Sequence, residues 1–194
     1  MIKINLIRHG MTAGNLMNRY IGTTEEPLCE AGRAGLLCRA YPDADFIFLS
    51  PMQRCIQTAE LIYPGKTGQT VPDFRECDFG LFENKNYLEL ADCPEYQEWI
   101  DSGGTLPFPG GESPEGFKVR SCAAFEQRMR QILEQGWQNV SMVVHGGTIM
   151  SIMEHYALPH QEYYQWHVKN GAGYSILLKQ EEWSQGHFTV YESL

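Results

Sequence analysis

Short, continuous apolar runs alternate along the chain with longer segments in which apolar and charged residues are mixed. The runs at 2–7, 46–49 and 141–144 have the composition of strands covered on both faces. Shorter strands are predicted at 69–71, 174–178 and 188–191. Strands that alternate with helices predict a mostly parallel sheet with helices on both faces, joined by right-handed crossovers. The predicted fold class is therefore α/β, a three-layer sandwich.

The segments between these strands predict five helices. Their expected spans are 30–41, 52–63, 86–100, 114–135 and 148–156. Ser50-Pro51 and Ser113-Pro114 each place a serine at an N-cap and a proline at the first helical position, and Gly136 marks a helix end. Gly32 and Gly35 weaken the first helix by roughly 1 kcal/mol each relative to alanine, a cost that close packing would explain.

The segment 72–113 interrupts the alternation, and we expect it to form a pocket wall or lid. Its aromatic residues include Phe79, Phe82, Tyr87, Tyr96, Trp99 and Phe108. They fit either a small satellite core or a wall that binds a ring, and the satellite core is favoured because such insertions commonly bury aromatics. No repeat or linker divides the chain, so residues 1–194 are expected to form a single domain that contains this insertion.

The acidic balance of the chain limits its partners. The formal net charge is -9, which disfavours nucleic acid and an anionic membrane as partners. Six cysteines could form three disulfides, but Met1 leads directly into a strand without a signal peptide. Reduced thiols in a cytoplasmic protein are therefore the better interpretation. No apolar run approaches the ~20 residues that a membrane span needs.

Two of the apolar runs end at a histidine followed by glycine. Arg8-His9-Gly10 follows the first strand, and His145-Gly146-Gly147 follows the strand at 141–144. Ligands of open α/β sheets bind at the carboxyl ends of strands, and the two histidines converge if these strands are neighbours. An imidazole beside an arginine suits an anionic substrate, phosphate above all. The alternative is that Arg8 and His9 only close a strand and pair with acidic neighbours.

Four segments together resemble the histidine phosphatase superfamily, which contains the phosphoglycerate mutases and related phosphatases. They are Arg8-His9-Gly10 with Thr12 and Asn15; Ser50-Pro51 with Arg54, Thr58 and Ala59; Glu76 with Asp78-Phe79-Gly80; and Val143-Val144-His145-Gly146-Gly147. They occur in the family's order and span most of the chain. The resemblance implies a phosphoglycerate mutase-like fold and a small-molecule phosphomonoester substrate, with no metal or other cofactor.

The resemblance also implies roles for the matched polar residues. His9 is expected to be the nucleophile that becomes a phosphohistidine, and a neutral imidazole is indeed nucleophilic near pH 7. The expected phosphate-binding residues are Arg8, Asn15, Arg54 and His145, and His145 is also expected to be catalytic. Glu76 is expected to protonate the leaving alkoxide and later to activate water. That role needs a pKa near neutrality, which burial favours and nearby arginines oppose, and the sequence leaves the balance open.

Hydrolysis is favoured over mutase activity. Cys77 and Asp78 occupy the positions where the cofactor-dependent mutases carry a basic pair, and those mutases are longer. Phe82-Glu83-Asn84 stands where many phosphatases have Trp-Glu-Gly, and Asn84 can adopt the left-handed backbone that glycine would provide. Because Asn84-Lys85 resembles a mutase segment, a cofactor-dependent phosphoglycerate mutase is the alternative. A non-catalytic phosphate-binding module is a third hypothesis, which the complete set of His9, Glu76 and His145 disfavours.

Within the phosphatases, Pro109-Gly110-Gly111-Glu112-Ser113 resembles the branch of α-ribazole and broad-specificity phosphatases. The aromatic insertion would suit a substrate that carries a ring. The other polar residues are interpreted as structural: His155, His160, His167 and His187, a turn at Asn170-Gly171-Ala172, and solvated Asp73, Glu83 and Glu89. The sequence leaves a monomer and a homodimer both open.

Overall fold

A single seven-stranded sheet forms the centre of the protein in a computed structural model that describes all 194 residues. The strands are β1 (Ile2–Arg8), β2 (Phe46–Leu49), β3 (Gly68–Thr70), β4 (Asn139–Val144), β5 (Ala157–Leu158), β6 (Gly173–Leu178) and β7 (Phe188–Ser193). Their order across the sheet is β3-β2-β4-β1-β6-β7-β5. Strands β1 to β4 run parallel to their neighbours among the four, whereas β6 is antiparallel to both β1 and β7. The predicted mostly parallel α/β sheet is confirmed.

Seven helices connect these strands. They are α1 (Ala13–Leu16), α2 (Glu30–Leu37), α3 (Gln53–Ile62), α4 (Pro94–Asp101), α5 (Pro114–Gln135), α6 (Gly146–Tyr156) and α7 (Gln180–Ser184). As predicted, the Ser113 side chain caps α5 by accepting from the Gly116 N–H, and Gly136 ends that helix with φ of 71°. Among the seven helices, none combines the length and the apolar composition that a membrane crossing would need.

Both faces of the central strands are buried, which explains why these strands are apolar without alternation. Along β4, Met142 and Val144 pack with α5 and α6 on one face, in the larger core. Val143 packs on the opposite face, against Cys55 and Ala59 of α3. The sheet therefore lies between two helical layers, as the three-layer prediction requires.

The structure differs from the predicted elements at several places, and the short helices α1 and α7 were not predicted. Helix α2 ends at Leu37, four residues early, and the Tyr41 hydroxyl beyond it donates to the carbonyl of Gly171 at 2.8 Å. Helix α4 begins at Pro94 rather than near 86, because the Asn86 side chain accepts from backbone N–H groups of the next residues and closes a turn instead. Strand β5 was not predicted, since its two residues are too few to show a pattern.

The segment 72–113 contains no strand and packs over the carboxyl end of the sheet through its aromatic residues. Phe82 and Phe108 are buried with Phe117 of α5 in a separate apolar cluster. Phe79 and Trp99 pack against this cluster and remain partly exposed. The expected satellite core is thus present, and one side of it stays open to a cavity.

Candidate active site

The two histidines that end strands β1 and β4 lie side by side. The strands are parallel neighbours, with Arg8 in register with Val144. His9 and His145 follow at the carboxyl edge, and their ring centroids are 5.2 Å apart in an edge-on arrangement. The convergence predicted from the sequence is confirmed by this pairing.

His9 has a defined tautomer. Its Nδ1 lies 2.6 Å from the carbonyl oxygen of Gly10, and because a carbonyl can only accept, Nδ1 carries the proton. The lone pair is then on Nε2. Burial, reinforced by the charges of Arg54 and Arg8, lowers the pKa of His9 well below its usual value. The side chain is therefore a neutral imidazole with a free nucleophilic nitrogen at neutral pH.

His145 is fully buried and has both ring nitrogens occupied. The Arg54 Nε donates to Nδ1 at 3.3 Å, so Nε2 carries the proton and donates to the Ser50 hydroxyl at 2.7 Å. Burial and the charge of Arg54 lower the pKa of His145 well below its usual value. Ser50 is not the N-cap residue that was predicted: α3 begins at Gln53 with Met52 as its cap, and the Ser50 hydroxyl accepts from the Met52 N–H at 3.3 Å as well as from His145.

Arg54 is a completely buried cation without an acidic partner at ion-pair distance. Its terminal nitrogens donate to the carbonyls of Thr24 and Gly22 at 2.9 and 2.8 Å. The guanidinium thus lies beside His145, as predicted, but most of its donors bind the 21–24 loop. Its charge adds to the burial that lowers the pKa of both histidines and keeps them neutral.

Glu83 holds that loop, contrary to its interpretation as a solvated residue. Its carboxylate accepts from the backbone N–H groups of Gly22, Thr23 and Thr24, from the Thr24 hydroxyl at 2.7 Å, and from the Phe79 N–H. The Glu83 carboxylate therefore fixes the carbonyls that in turn fix Arg54. The next residue, Asn84, adopts the expected left-handed backbone with φ of 56°.

Arg8 supplies an unsatisfied donor next to a helix N-terminus. One terminal nitrogen donates to the Val168 carbonyl at 2.8 Å, whereas the buried Nε has no partner. This Nε lies 3.4 Å from the position that a Cβ on Gly146 would occupy, at the start of α6. Free N–H groups and the helix dipole make such a terminus a site for an anion.

Glu76 reaches the same helix start from the segment after β3. Its Oε2 accepts from the Gly147 N–H at 3.4 Å, and its Oε1 accepts from the Cys77 N–H at 3.0 Å. Burial raises the pKa of Glu76, although these hydrogen bonds and the charges of Arg54 and Arg8 oppose the shift. The balance left open by the sequence is therefore decided by desolvation.

Asn15 closes the other side through a partner that sequence reasoning missed. Its Oδ1 accepts from the Thr12 N–H and from the Asn170 Nδ2, at 3.2 and 3.0 Å, which leaves its own Nδ2 without an intramolecular acceptor. Asn170 also donates to the His9 carbonyl at 3.2 Å. The available signal was the position of Asn170 just before β6, the strand that pairs with β1.

Two cavities meet at Arg8 and His167. One, of about 470 Å³, is walled mainly by aromatic and apolar side chains and includes Glu76 and Gly147. The other, of about 580 Å³, includes Asn15 and several cations. His167 lies 3.5 Å from Arg8 and was missed because it falls outside the four motifs. No group of three or more His, Cys, Asp or Glu side chains is arranged to hold a metal ion.

Comparisons with known proteins identify the family of the chain. A sequence model of the histidine phosphatase superfamily (branch 1) matches residues 4–190, and the chain belongs to this superfamily. The 2,3-bisphosphoglycerate-dependent phosphoglycerate mutase 2 of Gloeobacter violaceus is 34% identical over 163 residues, which are 76% of this chain and 72% of the mutase. The adenosylcobalamin/alpha-ribazole phosphatase of Escherichia coli is 27% identical over 195 residues, 93% of this chain and 92% of the phosphatase.

A solved structure shows the same fold. The phosphoglycerate mutase of Thermus thermophilus superimposes with a TM-score of 0.71 at 26% identity, covering 100% of this chain and 98% of the mutase. The expected phosphoglycerate mutase-like fold is thereby confirmed. Both phosphatases and mutases occur among the relatives.

Proposed function

We propose that the protein is a phosphomonoesterase that hydrolyses a small phosphorylated metabolite through a phosphohistidine on His9. The observation that carries this proposal is the His9 tautomer. With Nδ1–H bound to the Gly10 carbonyl, the lone pair of Nε2 is available for attack, and the Nε of the preceding residue, Arg8, is an unpartnered donor. The Gly10 carbonyl also stabilises the positive ring that forms when Nε2 bonds to phosphorus.

In the first step, Nε2 attacks phosphorus and forms the N–P bond while the P–O bond to the alcohol breaks. The protonated Glu76 carboxyl gives its proton to the departing oxygen. In the second step, the Glu76 carboxylate takes a proton from water, whose oxygen attacks phosphorus and releases inorganic phosphate and neutral His9. The raised pKa of Glu76 supports the proton donation that begins this sequence.

Five groups surround the transferred phosphate in this proposal. They are Arg8, Asn15, Arg54, His145 and the N-terminus of α6. Arg8 and Asn15 contribute donors that have no acceptor within the protein, Nε and Nδ2 respectively. Arg54 and His145 form the floor of the phosphate site and act on the phosphate mainly through charge, because their hydrogen-bonding groups are already bonded to other groups of the protein. Phosphoryl transfer depends on such fixed positioning.

The aromatic cavity beside Glu76 supports a leaving alcohol that carries a ring. Phe79, Trp99 and Tyr163 are among its walls, and Glu76 lies in the lining where the alcohol oxygen would depart. A planar group can stack on such walls, whereas a short carboxylate would find mainly apolar surface. Ring-bearing phosphomonoesters should accordingly show a lower KM than glycerol phosphate.

Hydrolysis of p-nitrophenyl phosphate by wild type and His9→Ala tests the proposal. The wild type should turn over the ester and form an acid-labile phosphoenzyme with radiolabelled substrate, and His9→Ala should do neither. His155→Ala, which alters a histidine on α6 outside the site, should behave as wild type. Activity retained in His9→Ala would refute the nucleophile, and phosphate binding without any turnover in the wild type would favour a non-catalytic module.

A phosphoglycerate mutase remains the second candidate, because mutases occur among the relatives. The residues after Glu76 favour hydrolysis: Cys77 is buried, and the Asp78 carboxylate accepts from the Gly80 N–H, so neither supplies a cation. An assay with 3-phosphoglycerate and catalytic 2,3-bisphosphoglycerate separates the two. Isomerisation faster than release of inorganic phosphate would establish the mutase.

A further inference from the structure

One of the two cavities at Arg8 extends beyond the proposed phosphate site, with which it shares Arg8 and Asn15. It occupies about 580 Å³ between the segment after β1, the helix α2 and the turn before β6. Its lining contains the cations Arg8, Arg19, Arg39 and Lys169 and no aspartate or glutamate. We call this cavity the cationic cleft.

Such a concentration of positive charge is exceptional in this chain, whose net charge is -9. Arg19 is paired with Glu89 at 2.6 Å. Arg8, Arg39 and Lys169 take part in none of the protein's ion pairs. Three cations that face one cavity repel one another, and an anion bound between them would offset that repulsion.

The walls of the cleft leave room for an anion. Gly35 is part of its lining, and a Cβ there would meet nothing within 4 Å, whereas a Cβ on Gly10 or Gly32 would meet Leu36 or Met11. Arg39 extends from the end of α2 towards the turn at Gly171. Asn15, whose free Nδ2 serves the transferred phosphate in the proposed function, also lines the cleft.

The cleft adjoins the aromatic cavity, since Arg8 and His167 line both. Arg39 and Lys169 line only the cleft, so an anion held between them would lie outside the aromatic cavity. A substrate that reaches both cavities must carry its second anionic group on a flexible arm. The geometry thus suits compounds with two separated anionic groups.

We propose that the cationic cleft binds a second, non-transferred phosphate or carboxylate of the substrate while the scissile phosphate lies at His9. This inference rests on the proposed function, because it assigns a substrate class to the same centre. Recognition is by Arg39 and Lys169 at the far end and by Arg8 at the shared end. Because the protein as a whole is acidic, it attracts anionic substrates only weakly at long range. The cleft therefore contributes through direct contacts once the substrate has reached the site.

Matched synthetic esters test the proposal. The substrates are 1,6-hexanediol bisphosphate and hexyl phosphate, which differ only in the second phosphate. The variants are Arg39→Ala/Lys169→Ala and the control Lys66→Ala/Arg130→Ala, which removes the same charge from surface ion pairs outside the cleft. For two charge-assisted contacts the cleft variant should raise KM for the bisphosphate about fivefold to twentyfold, with kcat maintained.

Hexyl phosphate turnover should change less than about twofold in both variants, and the control should keep the wild-type KM for the bisphosphate. An equal loss of kcat/KM on both esters in the cleft variant, or no loss of kcat/KM on the bisphosphate, would overturn the proposal. Inorganic phosphate alone is also added during thermal unfolding. If it stabilises the wild type but not the cleft variant, while the bisphosphate and the monophosphate show the same KM, the cleft binds a free anion rather than a substrate group.

Calorimetric titration separates this inference from the proposed hydrolysis. His9→Ala, with and without the two cleft substitutions, is titrated with 1,6-hexanediol bisphosphate. Weaker binding only when the cleft is altered supports an anion site in the cleft, even if the wild type hydrolyses no ester. Unchanged binding contradicts an anion site there, even if phosphohistidine chemistry is demonstrated.

Discussion

Burial shifts the pKa values of two residues in opposite directions, and both shifts favour the neutral form. The pKa of His9 falls because its imidazolium would be desolvated beside Arg54 and Arg8. The pKa of Glu76 rises because its carboxylate would be desolvated, and the same arginines only partly oppose this. A neutral imidazole and a protonated carboxyl are the forms that the first chemical step requires. Burial in one pocket thus favours the reactive, neutral forms of both the nucleophile and the acid.

We predict that Glu76→Gln slows alkyl phosphates far more than p-nitrophenyl phosphate, whose leaving group hardly needs a proton. Removal of a general acid costs about 10²- to 10⁴-fold. In the wild type, kcat for an alkyl phosphate should fall as pH rises through the raised pKa of Glu76, because the acid is then ionised. The pH–rate profile of Glu76→Gln should lack this alkaline decline. Equal losses on both esters would contradict the role of Glu76 as an acid.

The residues that could be predicted from sequence are those that end an apolar run or belong to a compact motif. His9, Arg8 and His145 directly follow strands, so their common location followed from sheet topology. His167 and Asn170 reach the site only because β6 folds back antiparallel to β1, a pairing that leaves no local pattern. Glu83 was misjudged because its four acceptor contacts to the distant 21–24 loop leave no signal in the sequence around it.

At the scale of elements, the loop 21–24 connects the satellite core to Arg54 and His145, which form the floor of the phosphate site. Its N–H groups bind the Glu83 carboxylate, and its carbonyls bind Arg54. Arg54 in turn fixes the tautomer of His145. The loop therefore has a defined geometry despite lacking regular secondary structure. Glu83 acts on the site through this chain of contacts and is a positioning residue.

We predict that Glu83→Gln destabilises the protein by about 1–3 kcal/mol, because the new NH₂ group faces N–H donors that lose their acceptor. Urea unfolding measures this loss. Below the unfolding transition, kcat should fall more than KM rises, since Arg54 and His145 shift while Arg8 and Asn15 remain. Glu192→Gln, which alters an exposed carboxylate on β7, is the control and should change stability by less than about 1 kcal/mol. An unchanged kcat in Glu83→Gln would show that the loop does not position Arg54 and His145.

Helix α2 provides a second test at this scale, through two glycines that sequence reasoning could not distinguish. A Cβ on Gly32 would lie 2.1 Å from the Met11 carbonyl oxygen, whereas a Cβ on Gly35 would contact nothing within 4 Å. Gly35→Ala should therefore stabilise the protein by up to about 1 kcal/mol through helix propensity. Gly32→Ala should destabilise it and displace the segment after His9. Thermal unfolding of both variants checks the pair, and similar shifts in both would be inconsistent with close packing at Gly32.

Elements with a buried face on each side were predictable, and those shaped by single contacts were not. Strands β1, β2 and β4 have apolar runs because both helical layers cover them. The start of α4 depends on one Asn86 side chain that closes a turn. At α3 the Ser50 hydroxyl binds the Met52 N–H and also His145, a contact across the sheet that the local serine-proline pattern does not show.

At the scale of the whole molecule, the buried titratable groups that serve the site also make stability depend on pH. In the unfolded chain His9 and His145 bind protons below a pKa of about 6.5, whereas in the folded protein they stay neutral. Acidification therefore favours the unfolded state. Glu76 acts oppositely: because burial raises its pKa, the unfolded chain gives up this proton at a lower pH than the folded protein does. Between the ordinary pKa values of glutamate and histidine, the free energy of unfolding rises with pH through the histidines and falls through Glu76.

We therefore predict that Glu76→Gln steepens this dependence. Each group that titrates only in the unfolded state changes the free energy of unfolding by about 1.4 kcal/mol per pH unit. Urea unfolding between about pH 5 and pH 6 should show a positive wild-type slope, because the three histidines whose pKa is lowered, His9, His145 and His167, outweigh one carboxyl. In Glu76→Gln the opposing contribution disappears, so the slope should increase by up to about 1.4 kcal/mol per pH unit, whereas Glu192→Gln should keep the wild-type slope. Parallel curves for wild type and Glu76→Gln would mean that Glu76 is ionised in the folded protein over this range, and the proton donor would have to be sought elsewhere among the groups around His9.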